Sequence, residues 1–301
     1  MHTPQHYDAI IIGGSYSGLS AAMALGRSLK TVLLIDSGEP CNRQTPHSHN
    51  FLTQDGSTPA HISQLSKQQV LNYPTITWLD DRAIRGQHED QVFRIRTASG
   101  HDYTSSKLLL AMGVKDQMLP IPGFADCWGI SIIHCPFCHG YEVKNQPTGI
   151  LANGDRAAFM AQLLANWTTD LRILTNGPST LTIEQHATLA QAGIAVIEEH
   201  ISAFEHRDGQ LHSVQYQNGD NLPLPVLYAH APNALPTDLA VQLSCTLTDE
   251  GLILVDSMQQ TNIPGLYASG DCTTPLRSVA NAVASGQMAG VAILKSFQFP
   301  E

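Results

Sequence analysis

The sequence predicts an α/β protein made of two βαβ-type domains, the second inserted into the first. Three observations predict it. An apolar strand over residues 7–12 runs into Gly13-Gly14-Ser15-Tyr16-Ser17-Gly18, then an alanine-rich helix and a second apolar strand ending in Asp36. A strand–turn–helix–strand unit of the same kind recurs from Gly149 to Thr175. Pro120, Pro122 and Gly123 on one side, and Pro223, Pro225, Pro232 and Pro236 on the other, mark crossings between compact halves. The expected domains are residues 1–119 with 237–301, and an inserted 120–236.

The first unit places its residues where a dinucleotide would need them. Gly13 supplies the tight turn, Gly18 the close helix–strand packing, and Asp36, eighteen residues past Gly18, stands where an acid bonds a ribose hydroxyl. This is a Rossmann-like unit. Its middle glycine is replaced by Ser15, a small change whose hydroxyl can itself bond phosphate. Gly13, Gly14, Ser15, Gly18 and Asp36 are the candidate dinucleotide-binding residues. The segment from Ser37 to Pro59 reads as a long loop that contains Cys41, with Arg43, His47 and His49 as candidates to line a cofactor. A helix is expected over 59–72, then strands near 76–80, 91–97 and 102–104, with a hairpin around Ser99-Gly100. Leu108-Leu109-Leu110-Ala111-Met112 reads as a separate buried strand that turns at Gly113.

Midway lies Cys135-Pro136-Phe137-Cys138-His139-Gly140, which reads as a redox-active dithiol. Two cysteines spaced this way close a small disulfide. If the second lies at a helix N-terminus, the dipole and the neighbouring imidazole favour its thiolate. Other readings compete. The motif has the C-x-x-C-H form of c-type haem attachment, which requires export, yet Met1–Asp8 shows no leader pattern. A zinc site wants four ligands, and no second CxxC or HxxxH pair occurs, so no metal is expected. Two inert buried cysteines remain the blandest account.

The second unit is eroded. Its first glycine is Ala152, its second strand ends in Thr175-Asn176-Gly177-Pro178 without an acid, and residues 149–200 hold only Arg156 and Arg172. A hydrogen bond to a charged group contributes about 1.5–3 kcal/mol, so lacking two arginines on a 2′-phosphate weakens NADPH by about a hundredfold or more. Tight NAD(P)H binding is not expected. After a helix over 182–192 and strands near 194–197, 201–206 and 211–217, the chain returns to the first domain. There Gly265–Ser269 is a strand delivering Gly270 and Asp271 at its carboxyl end, followed by a helix of small residues over 278–290.

Bulk properties narrow the class. The 301 residues are 43% hydrophobic and 14% charged, enough to bury a real core. No apolar run reaches the roughly 18 residues of a membrane span. A net charge of −10 argues against nucleic acid, which selects a basic face. Four cysteines outside the CxxC motif, scattered along the chain, fit a reducing cytoplasm better than a secreted disulfide framework.

Four features together resemble the low-molecular-weight thioredoxin reductases over essentially the whole chain: Gly13–Gly18, the Ala111-Met112-Gly113 turn, Cys135 to Cys138, and Gly270-Asp271. The resemblance implies an FAD domain with an inserted NADPH-type domain that carries the dithiol. It implies that Gly13, Gly18 and Asp36 hold the adenosine half of FAD and that Asp271 bonds the ribityl chain. By the same resemblance Cys138 faces the flavin, Cys135 exchanges with a thioredoxin-like protein or small disulfide, and the enzyme is a homodimer. The match departs at His139, where these reductases usually have aspartate. Cys-Pro-Phe-Cys-His-Gly is more similar to the dithiol oxidases that close disulfides in gliotoxin- and holomycin-type products, for which oxygen can reoxidise the flavin. There an imidazole acts as general base or, as a cation, steadies a thiolate. A reading from another class keeps FAD but makes the chain a redox-sensing binding module, which turnover of any dithiol would sink. The aromatic end, Phe297–Glu301, either covers the flavin or is a frayed terminus.

Overall fold

A computed structural model describes residues 5–299; the expectations for Met1–Pro4 and for Pro300–Glu301 lie outside them. The chain divides into two compact units. One comprises residues 1–43, 51–115 and 233–301, the other residues 44–50 and 116–232.

The first unit begins β1 (Gln5–Ile12), α1 (Tyr16–Arg27), β2 (Val32–Asp36), α2 (Pro59–Leu71) and β3 (Ile76–Asp80). It continues through β4 (Ala83–Glu89), β5 (Val92–Thr97), β6 (Asp102–Leu110) and the short β7 (Lys115–Asp116). The strands align as β3-β2-β1-β6-β5-β4, parallel from β3 to β6 and antiparallel beyond. Side chains alternate across this sheet. Ile10, Ile12, Leu33 and Ile35 enter one buried cluster, whereas Ala9, Ile11, Val32 and Leu34 enter the other. Each fully buried Ile or Leu contributes about 1.5–3 kcal/mol.

Helix boundaries follow local chemistry. α2 starts where the Thr58 hydroxyl accepts from His61 N at 3.1 Å and Pro59 takes the first helical position. α1 stops at Arg27, short of the residue 29 expected, because Leu29 turns left-handed at φ 61. Residues 102–110 form one strand, not the two expected. β6 pairs with β1 along its length, while its other edge takes β5 at its start and β17 (Leu266–Ala268) at its end.

The second unit runs α3 (Phe124–Cys127), β8 (Ile132–Ile133), α4 (Pro136–His139), β9 (Thr148–Leu151), α5 (Gly154–Leu164) and β10 (Leu171–Leu174). It then runs α6 (Ile183–Gln191), β11 (Ala195–Ile197), β12 (Ile201–Arg207), β13 (Gln210–Tyr216), β14 (Asn221–Pro223) and β15 (Val226–Ala229). A parallel sheet is ordered β11-β10-β9-β15-β8, and β12-β13-β14 form an antiparallel one. The dithiol therefore follows the carboxyl end of an edge strand, β8.

The chain re-enters the first unit through β16 (Asn233–Ala234), which pairs with β7, then α7 (Leu239–Gln242), β17 (Leu266–Ala268) and α8 (Val279–Gln298). Small residues let α8 lie directly on α1. A Cβ on Gly286 would strike the Ser17 carbonyl oxygen, and one on Gly290 would come 2.9 Å from that of Ala21. Among the described residues, no helix is long and apolar enough to cross a membrane.

Candidate active site

In the first unit the turn after β1 is drawn tight. Gly13 N donates to Ile35 O at 2.8 Å with Gly13 at φ +104, and a Cβ on Gly18 would collide with the Gly13 carbonyl. Ser15 is the N-cap of α1 and makes no side-chain capping bond, which leaves the first amides of a twelve-residue helix open to a phosphate. Asp36 receives Gly14 N at 2.8 Å on one oxygen and Gly38 N at 3.2 Å on the other. It borders a cleft of about 250 Å³ with Ser37, Gly38, Asp80, Asp81 and Arg82. Gly113, at φ +63, has nothing within 4 Å of where a Cβ would sit, so a ligand can lie against this turn. Gly270, at φ +79, donates its N–H to Ser285 Oγ at 3.1 Å. Ser17 Oγ and Ser269 Oγ join the same junction at 2.6 Å. The expected FAD residues Gly13, Gly14, Ser15, Gly18, Asp36, Gly113, Gly270 and Asp271 all lie in this unit, and they fit a dinucleotide.

The loop after β2 adds a contact that spacing did not reveal. Arg277 approaches Asp271, Nε to Oδ2 at 3.6 Å, and donates from Nη2 to Cys41 Sγ at 2.9 Å. Neither Cys41 nor Arg277 was a cofactor candidate, because nothing local distinguishes either of them. Arg43 instead points out and donates to Pro40 O at 3.2 Å.

In the second unit Cys135 and Cys138 form a disulfide, with Cα atoms 5.3 Å apart. Cys135 is the N-cap of α4, and Pro136 opens the helix. This corrects the sequence expectation. The helix N-terminus lies at the first cysteine, and Cys138 sits within the single turn of α4. Both sulfurs' residues are half-buried, as is His139. Burial, and secondarily the His49 imidazole, hold His139 well below its usual range, at about 4. His139 is thus neutral near pH 7. In that form it can take a proton from a thiol. His49 in turn lies 3.5 Å from Glu142, Nδ1 to Oε1. His49 reaches the dithiol from the segment 44–50, some ninety residues upstream, which only the tertiary fold could disclose.

The eroded second unit closes on itself. Asn153, the N-cap of α5, accepts from Gly154 N at 2.9 Å and Thr180 N at 2.8 Å, and donates to Pro178 O at 2.9 Å. One side chain thus ties the loop after β10 across the helix N-terminus, where a pyrophosphate would sit. Farther along, the His200 ring fills the space beside Gly177, 2.9 Å from where a Cβ would be. Arg172 is engaged by Asp170 at 2.8 Å. These residues do not fit a pyridine dinucleotide.

With the two βαβ units and the disulfide placed, the chain can be compared with known proteins. Residues 7–286 match the pattern of the pyridine nucleotide-disulphide oxidoreductases. The chain belongs to this family. It is similar to the thioredoxin reductase aclD of Aspergillus oryzae, 31% identical over 98% of this chain and 98% of that protein. Among solved structures, an oxidoreductase from Agrobacterium tumefaciens is 37% identical with a TM-score of 0.92, over 99% of this chain and 100% of that one. HlmI is 28% identical with a TM-score of 0.89, over 97% and 93%. As a pyridine nucleotide-disulphide oxidoreductase of the thioredoxin reductase type, the protein is a flavin-dependent enzyme that carries FAD. It passes electrons between a dithiol or disulfide, the Cys135/Cys138 pair and that flavin.

Proposed function

We propose that this oxidoreductase works as a dithiol oxidase, closing a disulfide in a small molecule at the expense of oxygen. One observation carries the reading: Asn153 bridges the cradle in which the family's pyridine nucleotide would lie. Gly13, Gly14, Ser15 and Gly18 hold the FAD pyrophosphate, Asp36 a ribose hydroxyl and Asp271 the ribityl chain, with the Gly113 and Gly270 turns letting the backbone approach. A substrate thiolate attacks Cys135 Sγ, the Cys135–Cys138 bond breaks, and Cys138 leaves as the thiolate. The second substrate thiol then attacks the mixed disulfide, releasing Cys135 and the closed product. His139 accepts the proton of an attacking thiol. Held by these residues, FAD would supply the two-electron acceptor for the reduced Cys135/Cys138 pair, with oxygen as the terminal oxidant and peroxide as its product. Reduction of a thioredoxin-like protein by NADPH is the second reading, favoured by the similarity to the thioredoxin reductase aclD. We further assign the enzyme to the cytoplasm, which its four cysteines outside the disulfide support, and to a homodimer, which rests on the resemblance.

Anaerobic stopped-flow absorbance at the flavin band separates the two readings. Dithiothreitol alone should bleach the flavin, and admitted oxygen should restore it. Fast bleaching by NADPH or NADH would instead establish the reductase.

His139 gives two further expectations. In His139→Ala the dithiol-driven rate at pH 6 should fall about a hundredfold, with the deficit shrinking towards pH 9 as thiols ionise unaided. Equal pH profiles would remove the base role. The same imidazole also links folding to pH. Its unfolded value near 6.5 exceeds the folded value of about 4, so the unfolded state binds more protons between them. The stability contributed by a neutral His139 is complete above pH 6.5 and is lost as pH falls towards 4, to the extent of about 3 kcal/mol. Urea unfolding at pH 7 and 4.5 should show this loss in the wild type and less of it in His139→Gln.

A further inference from the structure

One side chain of the redox loop has no part in this chemistry. Phe137 stands between the two cysteines, 64% exposed, its ring edge-on to Trp167 with centroids 5.9 Å apart. Facing it on α5, Phe159 is also 64% exposed, and Gln162, Leu163 and Asn166 complete a cleft of about 440 Å³ with these rings. The core does not require this arrangement. α5 already buries Ala157, Ala161 and Leu164 inward, whereas Phe159, Gln162 and Leu163 form a second stripe at helical spacing that faces solvent. The cleft is also anchored to the redox loop. A Cβ on Gly140 would come 2.8 Å from the Trp167 indole, so α4 and Trp167 are in direct contact.

Three properties define the occupant. The volume falls within the roughly 300–1,000 Å³ of small-molecule sites. None of the six lining side chains is charged, on a chain whose net charge is −10, so the site suits a neutral molecule and the whole chain repels an anionic one. The cleft borders the redox loop, since its wall residue Phe137 precedes Cys138 directly and follows Cys135 by two residues. Exposed aromatic patches of this kind mark binding sites.

We propose that the cleft is a specificity site holding the apolar, ring-bearing part of an uncharged small dithiol while its thiols reach Cys135 and Cys138. The inference rests on the dithiol-oxidising reading and adds the substrate class to it. The exchange balances within the pair: the substrate loses two electrons and two protons and gains an S–S bond, and the enzyme disulfide becomes two thiols.

Two dithiols that close the same ring, 2-phenylpropane-1,3-dithiol and propane-1,3-dithiol, serve as probes, with anionic dihydrolipoate as a third. In anaerobic stopped-flow with the FAD enzyme, the phenyl compound should show a second-order rate about tenfold above the unsubstituted one, equivalent to about 1.4 kcal/mol. Dihydrolipoate should be slowest. Phe159→Ser should bring the phenyl preference to about one, whereas Ile183→Ser, an exposed change elsewhere in this unit, should keep it. Saturation-transfer NMR with 4-phenyl-1,2-dithiolane reads the cleft without turnover, and its signal should vanish in Phe159→Ser. No phenyl preference in the wild type, a preference surviving Phe159→Ser, or an NMR signal surviving it overturns the site. So does a protein dithiol oxidised faster than the phenyl probe and dependent on Phe159, or a change of oligomeric state in Phe159→Ser. If none of the dithiols bleaches the flavin, the oxidase reading fails by itself, and the NMR result still decides the cleft.

Discussion

Replacing Cys138 with serine should stop dithiol-driven bleaching of the flavin, by about a thousandfold or more, and leave the protein yellow. Serine is close to isosteric with cysteine. It preserves the backbone bonds that build the loop, Cys138 N and His139 N to Cys135 O at 3.3 and 3.2 Å. What it removes is the sulfur through which the pair exchanges. The residues that suit FAD belong to the other compact unit, so colour and exchange should separate cleanly. Stopped-flow at the flavin band, with an absorbance spectrum of the purified variant, checks both halves of the expectation. A colourless Cys138→Ser protein would mean that the motif supports the fold instead of the chemistry.

The second large effect is expected at Gly18. An alanine there drives its methyl into the Gly13 carbonyl oxygen and to 3.2 Å from Ile11 Cγ2. Neither neighbour yields readily, because Gly13 is held by its bond to Ile35 O at 2.8 Å and Ile11 is fully buried in β1. The collision is with backbone, which relaxes only by opening the turn that shapes the phosphate cradle. Gly18→Ala should lose about 2–3 kcal/mol of stability and bind FAD about a hundredfold more weakly. Thermal unfolding with and without added FAD measures both. A variant that purifies yellow with an unchanged Tm would refute the close-packing role.

Much of this was legible in the sequence wherever local pattern dictates geometry. The strand–helix–strand order from Tyr7 to Asp36 reads correctly because a continuous apolar run suits a strand buried on both faces and a glycine turn suits the entry to a helix. The erosion of the second unit was legible too, from Ala152 and from the missing acid after Thr175. Its cause was not. That Asn153 fastens Pro178 and Thr180 over the helix end depends on a loop twenty-five residues away, and asparagine as an N-cap is too common to flag. The continuity of β6 was hidden for a similar reason. Thr104, Ser105 and Ser106 look like a break, yet Thr104 and Ser105 are buried between β1 and β5. Helix placement and acidity at the dithiol needed coordinates: the helix begins one cysteine earlier than expected, and the basicity of His139 is set by burial and by His49.

Because α8 is the last element of the first unit, synthesis on the ribosome imposes an order. All five strands of the β11-β10-β9-β15-β8 sheet emerge before residue 230, so that sheet can form during translation. The inner face of α1, with Ala21, Ala22 and Leu25, shares its core with Ala289, Ala292 and Ile293 and stays bare until these emerge. The flavin fold is therefore finished only once residues 279–298 have been made, and FAD meets a complete core no earlier than that.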